Sequence, residues 1–333
     1  MRVLSPGKLR GMRQIASVRG VIAVTAVDHR GSLEAMLKRT MPGRPIGFAE
    51  MAAEKLRITR ALAPLSTAVL LDPLHGAFAL AHGAVPGTVG LIMCLEEFGY
   101  EGHAEGRLTT TIKEWSVAKI KRMGAVGVKV LLFYHPESTV APQQEEFVRR
   151  VADDCQRHDI ALLLEPMSYP IRPGVQKESA EFALEKPHVV IESARRLGSL
   201  GVDLLKAEFP ADPRFETDEG RLRTHCRALS EASPAPWVLL SAGETFDVFQ
   251  RLTALACQEG ASGFMVGRAI WQEAMQLSDP ADRERFLATT GASRLRILTA
   301  LVDAYAAPWT ARFGDSATSA AAQEGWHLQY AEE

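Results

Sequence analysis

Two lysines lie inside short apolar segments whose composition is typical of buried β-strands. Lys129 lies within residues 126–133, and Lys206 lies within residues 202–209. An ammonium group in such a segment faces either the interior of a barrel or the layer between sheet and helices, and a buried charge is costly in both places. Burial and a second nearby ammonium group each lower the pKa of a lysine, which frees an amine that can attack a carbonyl and form a Schiff base.

A lysine taken alone could instead extend from its strand end to solvent, as long basic side chains commonly do. Two lysines at comparable points of two strands favour a shared reactive site. Glu165 directly follows residues 160–164, another apolar segment. A carboxyl group there could move protons for a reactive amine, although it could also cap the next segment.

Acidic residues end three further apolar segments. Asp28 follows the first segment and is assigned to function, although it could instead cap a helix that begins near Ser32. Asp72 is followed by a proline and is assigned to turn structure. Glu96 ends the third segment, and no role is assigned to it.

Glycine-rich loops follow the last two predicted strands. One contains Ser241 and Gly243, and the other begins with Gly267 and Arg268. In (β/α)8 barrels these two loops frequently bind phosphate through backbone amides, and an arginine adds a forked donor for phosphate oxygens. The two loops together therefore predict a phosphate site.

Eight short apolar segments alternate with longer segments of helical character. Continuous apolar runs suit parallel strands that are covered on both faces. The predicted strands are residues 21–27, 68–71, 89–95, 126–133, 160–164, 202–209, 237–240 and 263–266. The predicted helices between them are residues 48–62, 110–122, 143–158, 187–200, 216–231 and 245–258. The alternation predicts an α/β protein with a (β/α)8 TIM barrel; an open doubly wound sheet is the alternative, disfavoured because no Gly-x-Gly-x-x-Gly follows the first strand.

The chain is predicted to form one domain over residues 1–333. The strands lie within about residues 21–268, and additional helices with a polar tail occupy about residues 280–333. The tail could cover a partner subunit or fold over the barrel mouth. The oligomeric state stays open, and a homo-oligomer is among the alternatives.

Composition excludes several classes of protein. With 333 residues, 47% of them apolar, and a net charge of −2, the chain can bury a large core and has no basic excess for nucleic acid or an anionic membrane. Four cysteines form no Cys-x-x-Cys pair, and nine histidines form no metal-ligand pair, so neither a disulfide framework nor a metal site is predicted. No apolar run approaches the roughly 18 residues that span a bilayer, and a cytoplasmic location is expected.

Seven short segments are similar, in order, to those of the bacterial class I tagatose 1,6-bisphosphate aldolases. They are Ala26-Val-Asp-His-Arg-Gly-Ser-Leu33, Leu71-Asp-Pro-Leu-His-Gly76, Gly127-Val-Lys-Val-Leu-Leu132, Leu164-Glu-Pro166, Val202-Asp-Leu-Leu-Lys-Ala-Glu208, Ser241-Ala-Gly243 and Gly267-Arg-Ala269. The resemblance extends from about residue 21 to residue 271.

The resemblance implies a metal-free and cofactor-free enzyme that reversibly cleaves a phosphorylated ketose. Tagatose 1,6-bisphosphate would give dihydroxyacetone phosphate and glyceraldehyde 3-phosphate. Lys206 would be the Schiff-base nucleophile and Glu165 the acid and base. Lys129 and Asp28 would assist formation of the carbinolamine and the proton transfers at the C4 hydroxyl. The phosphate of the dihydroxyacetone half would be bound by Ser241, Gly243, Gly267 and Arg268.

Two departures from the family concern the pocket. His29 stands where the family commonly has Gln, and Leu74-His75 stands where it commonly has Glu-Tyr. Because these changes could alter the accepted stereochemistry or terminal anion, an aldolase for 6-deoxy-6-sulfofructose 1-phosphate, giving sulfolactaldehyde, is the alternative. Arg30 and Ser32 are candidates for the distal anion, unless Arg30 pairs with a carboxylate and Ser32 caps a helix.

Two functions of other classes stay open at this point. One is a non-catalytic barrel that binds a sugar phosphate and acts as a sensor. The other is an isomerase or epimerase that uses Glu165 as its base and forms no Schiff base.

Overall fold

Eight parallel strands form a closed barrel in the order of the chain. The computed structural model describes residues 3–97, 107–313, 324–328 and 330. The strands are β1 (Ile22–Ala26), β2 (Ala68–Leu71), β3 (Gly90–Cys94), β4 (Gly127–Phe133), β5 (Ala161–Met167), β6 (Leu204–Ala207), β7 (Trp237–Leu240) and β8 (Gly263–Val266). Pairing of β1 with β8, in which Ile22 lies opposite Gly263, closes the barrel. The predicted (β/α)8 barrel is confirmed, and the open sheet is wrong.

Helices lie between the strands and beyond both ends of the barrel. They are α1 (Pro6–Ile15), α2 (Gly31–Thr40), α3 (Phe48–Leu62), α4 (Ala77–Ala81), α5 (Val117–Arg122), α6 (Ala141–Arg157), α7 (Ala180–Gly198), α8 (Glu219–Ala232), α9 (Phe246–Gln258), α10 (Arg268–Trp271), α11 (Pro280–Phe286) and α12 (Ala292–Tyr305). The helix predicted at residues 48–62 has the bounds of α3. The additional helices expected after residue 280 are α11 and α12.

Two predicted helices differ from the structure at their starts. The helix expected over residues 110–122 forms only as α5, because Thr111 pairs with Glu96 in an isolated antiparallel bridge. The helix expected from residue 187 begins two turns earlier as α7, where the Ser179 hydroxyl accepts a hydrogen bond from Phe182 N at 3.2 Å. Pro187 therefore lies inside the helix rather than at its first turn.

Alternation along the strands separates two apolar cores. One set of strand residues, including Val128 and Val130 of β4, packs against the helices. The other set, including Leu163, Leu204 and Met265, fills the barrel interior. Because successive side chains of a strand point to opposite faces, every second residue of each strand belongs to the interior.

Helix α1 closes the amino-terminal end of the barrel and is absent from the predicted helices. Its residues Leu9, Met12 and Ile15 join the interior core, together with Trp309 and Phe313 from beyond α12. These two residues of the segment after α12 thus pack at the amino-terminal end of the barrel, away from its mouth. No helix in the described ranges is both long enough and apolar enough to cross a membrane.

Candidate active site

Strand alternation directs both lysines into the barrel. Lys206 follows Leu204 by two residues in β6, and Leu204 belongs to the interior core. Lys129 lies opposite Leu163 in the register of β4 and β5, and Leu163 is also an interior residue. The side chains of Lys129 and Lys206 are only 1% and 5% exposed. Both lysines therefore face the barrel interior and not the helix layer.

The two ammonium groups share one network of carboxylates. Lys129 Nζ lies 2.8 Å from Asp28 Oδ2, 2.8 Å from Glu96 Oε1 and 2.9 Å from Glu165 Oε2. Lys206 Nζ lies 2.9 Å from the other oxygen of Glu165, Oε1. Glu165 thus joins the two lysines, one through each carboxylate oxygen.

Two of the carboxylates are held in their ionised form. Burial by itself raises the pKa of Asp28 and of Glu165, but the positive charges of Lys129 and Lys206 outweigh it. The pKa of Asp28 is well below its ordinary value, and the pKa of Glu165 is lowered as well. Both groups are consequently available as proton acceptors at neutral pH.

Lys129 is a permanent cation. Burial lowers its pKa, but the attraction of Asp28, Glu165 and Glu96 raises the pKa well above the ordinary value for lysine. The expectation that burial and a second ammonium group would free the amine is therefore wrong for Lys129. Its three charged partners, not its depth in the protein, decide its protonation.

Glu96 belongs to this network although its sequence position carried no assigned role. Its side chain is buried and lines the same cavity, and burial raises its pKa despite the nearby Lys129. Arg30 Nη2 donates a hydrogen bond to the Glu96 backbone carbonyl at 3.0 Å. Glu96 follows a predicted strand, as Asp28 and Glu165 do, and this position is the signal that could have identified it.

The loop after β7 forms a tight turn at the cavity wall. Glu244 N donates to Ser241 O at 2.8 Å, and the two residues between them, Ala242 and Gly243, have φ values of 48° and 87°. Positive φ at both central positions is the requirement of a type I′ turn, which explains the glycine. Ser241 and Ala242 line the cavity. Gly243 lies outside the lining but close to the guanidinium group described next.

Arg268, two residues after the end of β8, brings a cation to the same wall. A Cβ atom on Gly243 would lie 3.1 Å from the Arg268 guanidinium carbon, so the two loops touch. Within the described ranges, the buried Nε of Arg268 has no hydrogen-bond partner. Burial lowers the pKa of Arg268. The group nevertheless keeps its positive charge, because a guanidinium stays protonated in proteins. Ser241, Gly267 and Arg268 all line the cavity.

The loop after β1 supplies His29, Arg30 and Ser32 to the cavity lining. The His29 ring packs edge-on against Trp271, with ring centroids 5.0 Å apart. Burial lowers the pKa of His29 to about 3, so its imidazole is neutral. Ser32 does not cap α2, which begins at Gly31 with no side-chain cap, and this alternative is wrong.

His75 is not among the residues that line the cavity. Its Nδ1 lies 3.7 Å from Asp72 Oδ1, and its ring lies 5.8 Å from that of Phe48. Asp72 accepts hydrogen bonds from the backbone N–H groups of Leu74 and His75 and pairs with the buried Lys55. These contacts agree with the assignment of Asp72 to turn structure. The interpretation of Asp28 as a helix cap does not agree with its contact to Lys129.

The cavity that these residues enclose has a volume of about 180 Å³. It lies at the carboxyl ends of the strands, where (β/α)8 enzymes carry their active sites. Leu131 and Met167 form part of its wall. Among the described residues, no group of three or more His, Cys, Asp or Glu side chains is placed to hold a metal ion.

Comparison with known proteins identifies relatives for nearly the whole chain. The model of the DeoC/LacD family of aldolases matches residues 22–273. The tagatose 1,6-diphosphate aldolase of Listeria monocytogenes serotype 4a is 30% identical over 330 residues, covering 93% of this chain and 96% of that protein. The tagatose 1,6-diphosphate aldolase 1 of Streptococcus mutans is 28% identical and covers 93% and 99% of the two chains.

The fold is also shared with solved structures. An archaeal fructose 1,6-bisphosphate aldolase superposes with a TM-score of 0.58 at 21% sequence identity, covering 89% of this chain and 98% of that chain. At this identity the likeness concerns the barrel architecture alone.

Proposed function

The chain belongs to the DeoC/LacD family of aldolases, and from this premise we propose that it is a class I aldolase acting on a ketose 1,6-bisphosphate such as tagatose 1,6-bisphosphate. The reversible products are dihydroxyacetone phosphate and glyceraldehyde 3-phosphate. The observation that carries the proposal is the Glu165 carboxylate, which contacts two buried lysines with one oxygen each. This arrangement places an acid/base group beside a lysine that can form a Schiff base.

Lys206 is the nucleophile rather than Lys129. Three carboxylates hold the proton on Lys129, whereas Lys206 pairs with Glu165 alone among the described residues. The Lys206 amine attacks the C2 carbonyl of the ketose to form a carbinolamine. Loss of the C2 oxygen as water, after it accepts a proton, leaves a protonated imine.

The protonated imine then makes the C3–C4 bond breakable. It accepts the electron pair of that bond, while a base removes the proton of the C4 hydroxyl and the aldehyde product leaves. The remaining enamine is protonated at C3, and water hydrolyses the imine to release dihydroxyacetone phosphate. Glu165 and Asp28 are the proton acceptors within this network, because Lys129 keeps both ionised.

The anionic ends of the substrate are bound by the loops around the mouth. Ser241, Gly243, Gly267 and Arg268 take the phosphate of the dihydroxyacetone half, since a buried guanidinium group beside two glycine-containing loops suits phosphate oxygens. His29, Arg30 and Ser32 face the rest of the substrate. His75 makes no contribution to the cavity lining and therefore acts, at most, through the turn that contains Asp72.

The setting of the enzyme is part of the proposal. Phosphorylated ketoses are metabolites of the cell interior, and the four cysteines are all buried and free, which suits a reducing cytoplasm. The partner is thus a small phosphorylated sugar, with no role for nucleic acid or a membrane. A homo-oligomer is compatible with this reaction but is not required by it.

Borohydride trapping tests the chemistry. Incubation with dihydroxyacetone phosphate and borohydride should give a stable adduct that mass spectrometry locates on Lys206. Lys129→Met, which removes the neighbouring ammonium group, is the matched control and should leave the position of any adduct unchanged. An adduct on another residue, or activity that a chelator abolishes, would refute the Schiff-base assignment.

A substrate panel tests which phosphorylated ketose the enzyme cleaves. Tagatose 1,6-bisphosphate, fructose 1,6-bisphosphate and 6-deoxy-6-sulfofructose 1-phosphate should be compared by kcat/KM. Preference for the sulfonated ketose would replace the proposed substrate with the alternative. Isomerase activity without trapping, or sugar-phosphate binding without any turnover, would support the isomerase or the sensor instead.

A further inference from the structure

Arg107 presents a guanidinium group that rests on two aromatic rings. Its guanidinium carbon lies 4.6 Å from the centroid of Phe133 and 5.9 Å from that of Tyr169. Arg107 is half-buried, and its Nε has no hydrogen-bond partner within residues 3–97 and 107–313. A cation supported on ring faces, with a buried donor left over, is suited to an anionic ligand.

The two rings lie one layer nearer the mouth than the residues that line the active-site cavity. Lys129 and Leu131 line the cavity, and Phe133 is the next residue of β4 with the same direction. Met167 lines the cavity from β5, and Tyr169 follows it by two residues. Arg107 therefore lies outside the cavity lining, in this outer layer at the carboxyl ends of β4 and β5.

A buried amide holds the Arg107 backbone in this position. The Gln144 side chain donates hydrogen bonds to Arg107 O at 2.6 Å and to Phe133 O at 3.1 Å. Its oxygen accepts a hydrogen bond from Thr109 N at 3.1 Å. Gln144 is only 1% exposed, so the segment that carries Arg107 is fastened to the end of β4.

The topology puts Arg107 across the barrel from Arg268. The eight strands close in chain order, so β4 lies opposite β8. Arg268 lies two residues beyond the end of β8, whereas Arg107 rests on the last residue of β4. A ketose bisphosphate is a linear molecule in its open form and carries one anion at each end. A substrate that crosses the mouth from Arg268 would bring its far anion towards Arg107.

We propose that Arg107 binds the tetrahedral anion at the aldehyde end of the substrate, a phosphate or a sulfonate group. This inference rests on the proposed aldolase function and names a subsite for it. Arg30, the candidate for this anion in the sequence, already donates to Glu96 O and lies 3.7 Å from the Glu96 carboxylate. Arg107 thus supplies a separate cation at the outer layer, where the far end of the substrate enters.

The test compares a substrate that has the far anion with one that lacks it. In Arg107→Met, KM for tagatose 1,6-bisphosphate should rise by roughly 10-fold to 100-fold, the loss expected for one charge-assisted contact. KM for the corresponding ketose 1-phosphate should change less than about twofold. Arg107→Lys should recover part of the loss, since it restores charge without the fork.

Arg172→Met is the matched control, because Arg172 is a half-exposed arginine of the loop after β5 that pairs with Glu181 at 2.5 Å. It should leave both KM values unchanged. A substrate with a sulfonate in place of the far phosphate distinguishes the two anions. Arg107→Met should raise KM more for the substrate whose far anion is the one that this subsite binds in the native reaction.

Equal losses for the bisphosphate and the 1-phosphate would overturn the proposal, as would a selective loss in Arg30→Met with none in Arg107→Met. Melting temperatures of all variants separate these results from unfolding. Failure of the underlying aldolase function is distinguishable, because wild-type protein would then cleave neither substrate and form no adduct with borohydride.

Discussion

The two ends of the barrel use buried lysines in opposite ways. At the amino-terminal end, Lys8 of α1 pairs with Asp203 at 3.0 Å, amid the apolar side chains that close the barrel. At the carboxyl-terminal end, Lys129 and Lys206 share carboxylates with one another around an open cavity. An ion pair between one lysine and one carboxylate holds the two side chains in one geometry. In a shared network, a proton can move among several groups without leaving any buried charge unpaired. The difference separates a lysine in a structural ion pair from the two lysines of the proposed catalytic network.

Lys206→Met should produce the largest effect. Removal of the nucleophile is expected to lower kcat by roughly 10⁴-fold or more, since covalent catalysis through C2 becomes impossible. Steady-state cleavage of tagatose 1,6-bisphosphate measures the loss, and circular dichroism checks that the barrel is folded. Residual activity within about tenfold of wild type would contradict the assignment of Lys206 as the nucleophile, and with it the contrast to the structural Lys8.

Lys8→Met should affect folding instead of catalysis. Lys8→Met removes the cation that pairs with the buried Asp203 carboxylate, so the free energy of unfolding should fall by about 3–5 kcal/mol. Denaturant unfolding measures the change, and kcat of the folded fraction should be unchanged. The double variant Lys8→Met with Asp203→Asn removes the remaining negative charge and keeps an acceptor for Leu162 N, which donates to Asp203 at 2.8 Å. This variant should recover stability; no recovery would contradict the electrostatic explanation.

Glu96→Gln tests the carboxylate network around Lys129. It removes one of the three charges that hold Lys129, and kcat is expected to fall by about tenfold, with little change in KM. Adduct formation at Lys206 should persist, because Glu96 makes no contact with that lysine among the contacts described. Glu97→Gln, at the adjacent residue outside the cavity lining, is the control. Equal effects of the two substitutions would mean that Glu96 has only a general structural role.

The smallest expected effect concerns acid stability. The pKa of His29 is about 3 in the folded protein, against 6.5 ordinarily, so the unfolded chain takes up the proton first as the pH falls. His29 therefore destabilises the fold progressively between pH 6.5 and about 3. Between about pH 7 and about pH 5.5 the loss is about 1 kcal/mol.

His29→Gln should remove this part of the pH dependence. Denaturant unfolding of both proteins at the two pH values measures the difference, and titration of the other histidines cancels in the comparison. Asp28 and Glu165, whose pKa values are lowered, lose their stabilising charge only at more acidic pH. Identical pH dependence in wild type and His29→Gln would show that the pKa of His29 is the same in the folded and unfolded protein.

Much of the active site was predictable because strand ends are readable in a sequence. Asp28, Lys129, Glu165 and Lys206 each interrupt or end an apolar run, and all four meet in the cavity. Glu96 was equally visible at a strand end, but its importance depends on its 2.8 Å contact with Lys129. His75 shows the converse, since its segment follows β2 while its side chain turns towards Asp72.

The sequence by itself determined the barrel, the strands that carry the charged residues and the loops suited to phosphate, because these follow from local patterns of apolar and polar residues. The tertiary structure was needed to see that carboxylates hold Lys129 in its charged form, that Glu96 joins the network, and that Arg107 lies across the mouth from Arg268. The physical reason is that electrostatic energies depend on distance and burial. Strand register and barrel closure set both, and neither is encoded by any one segment.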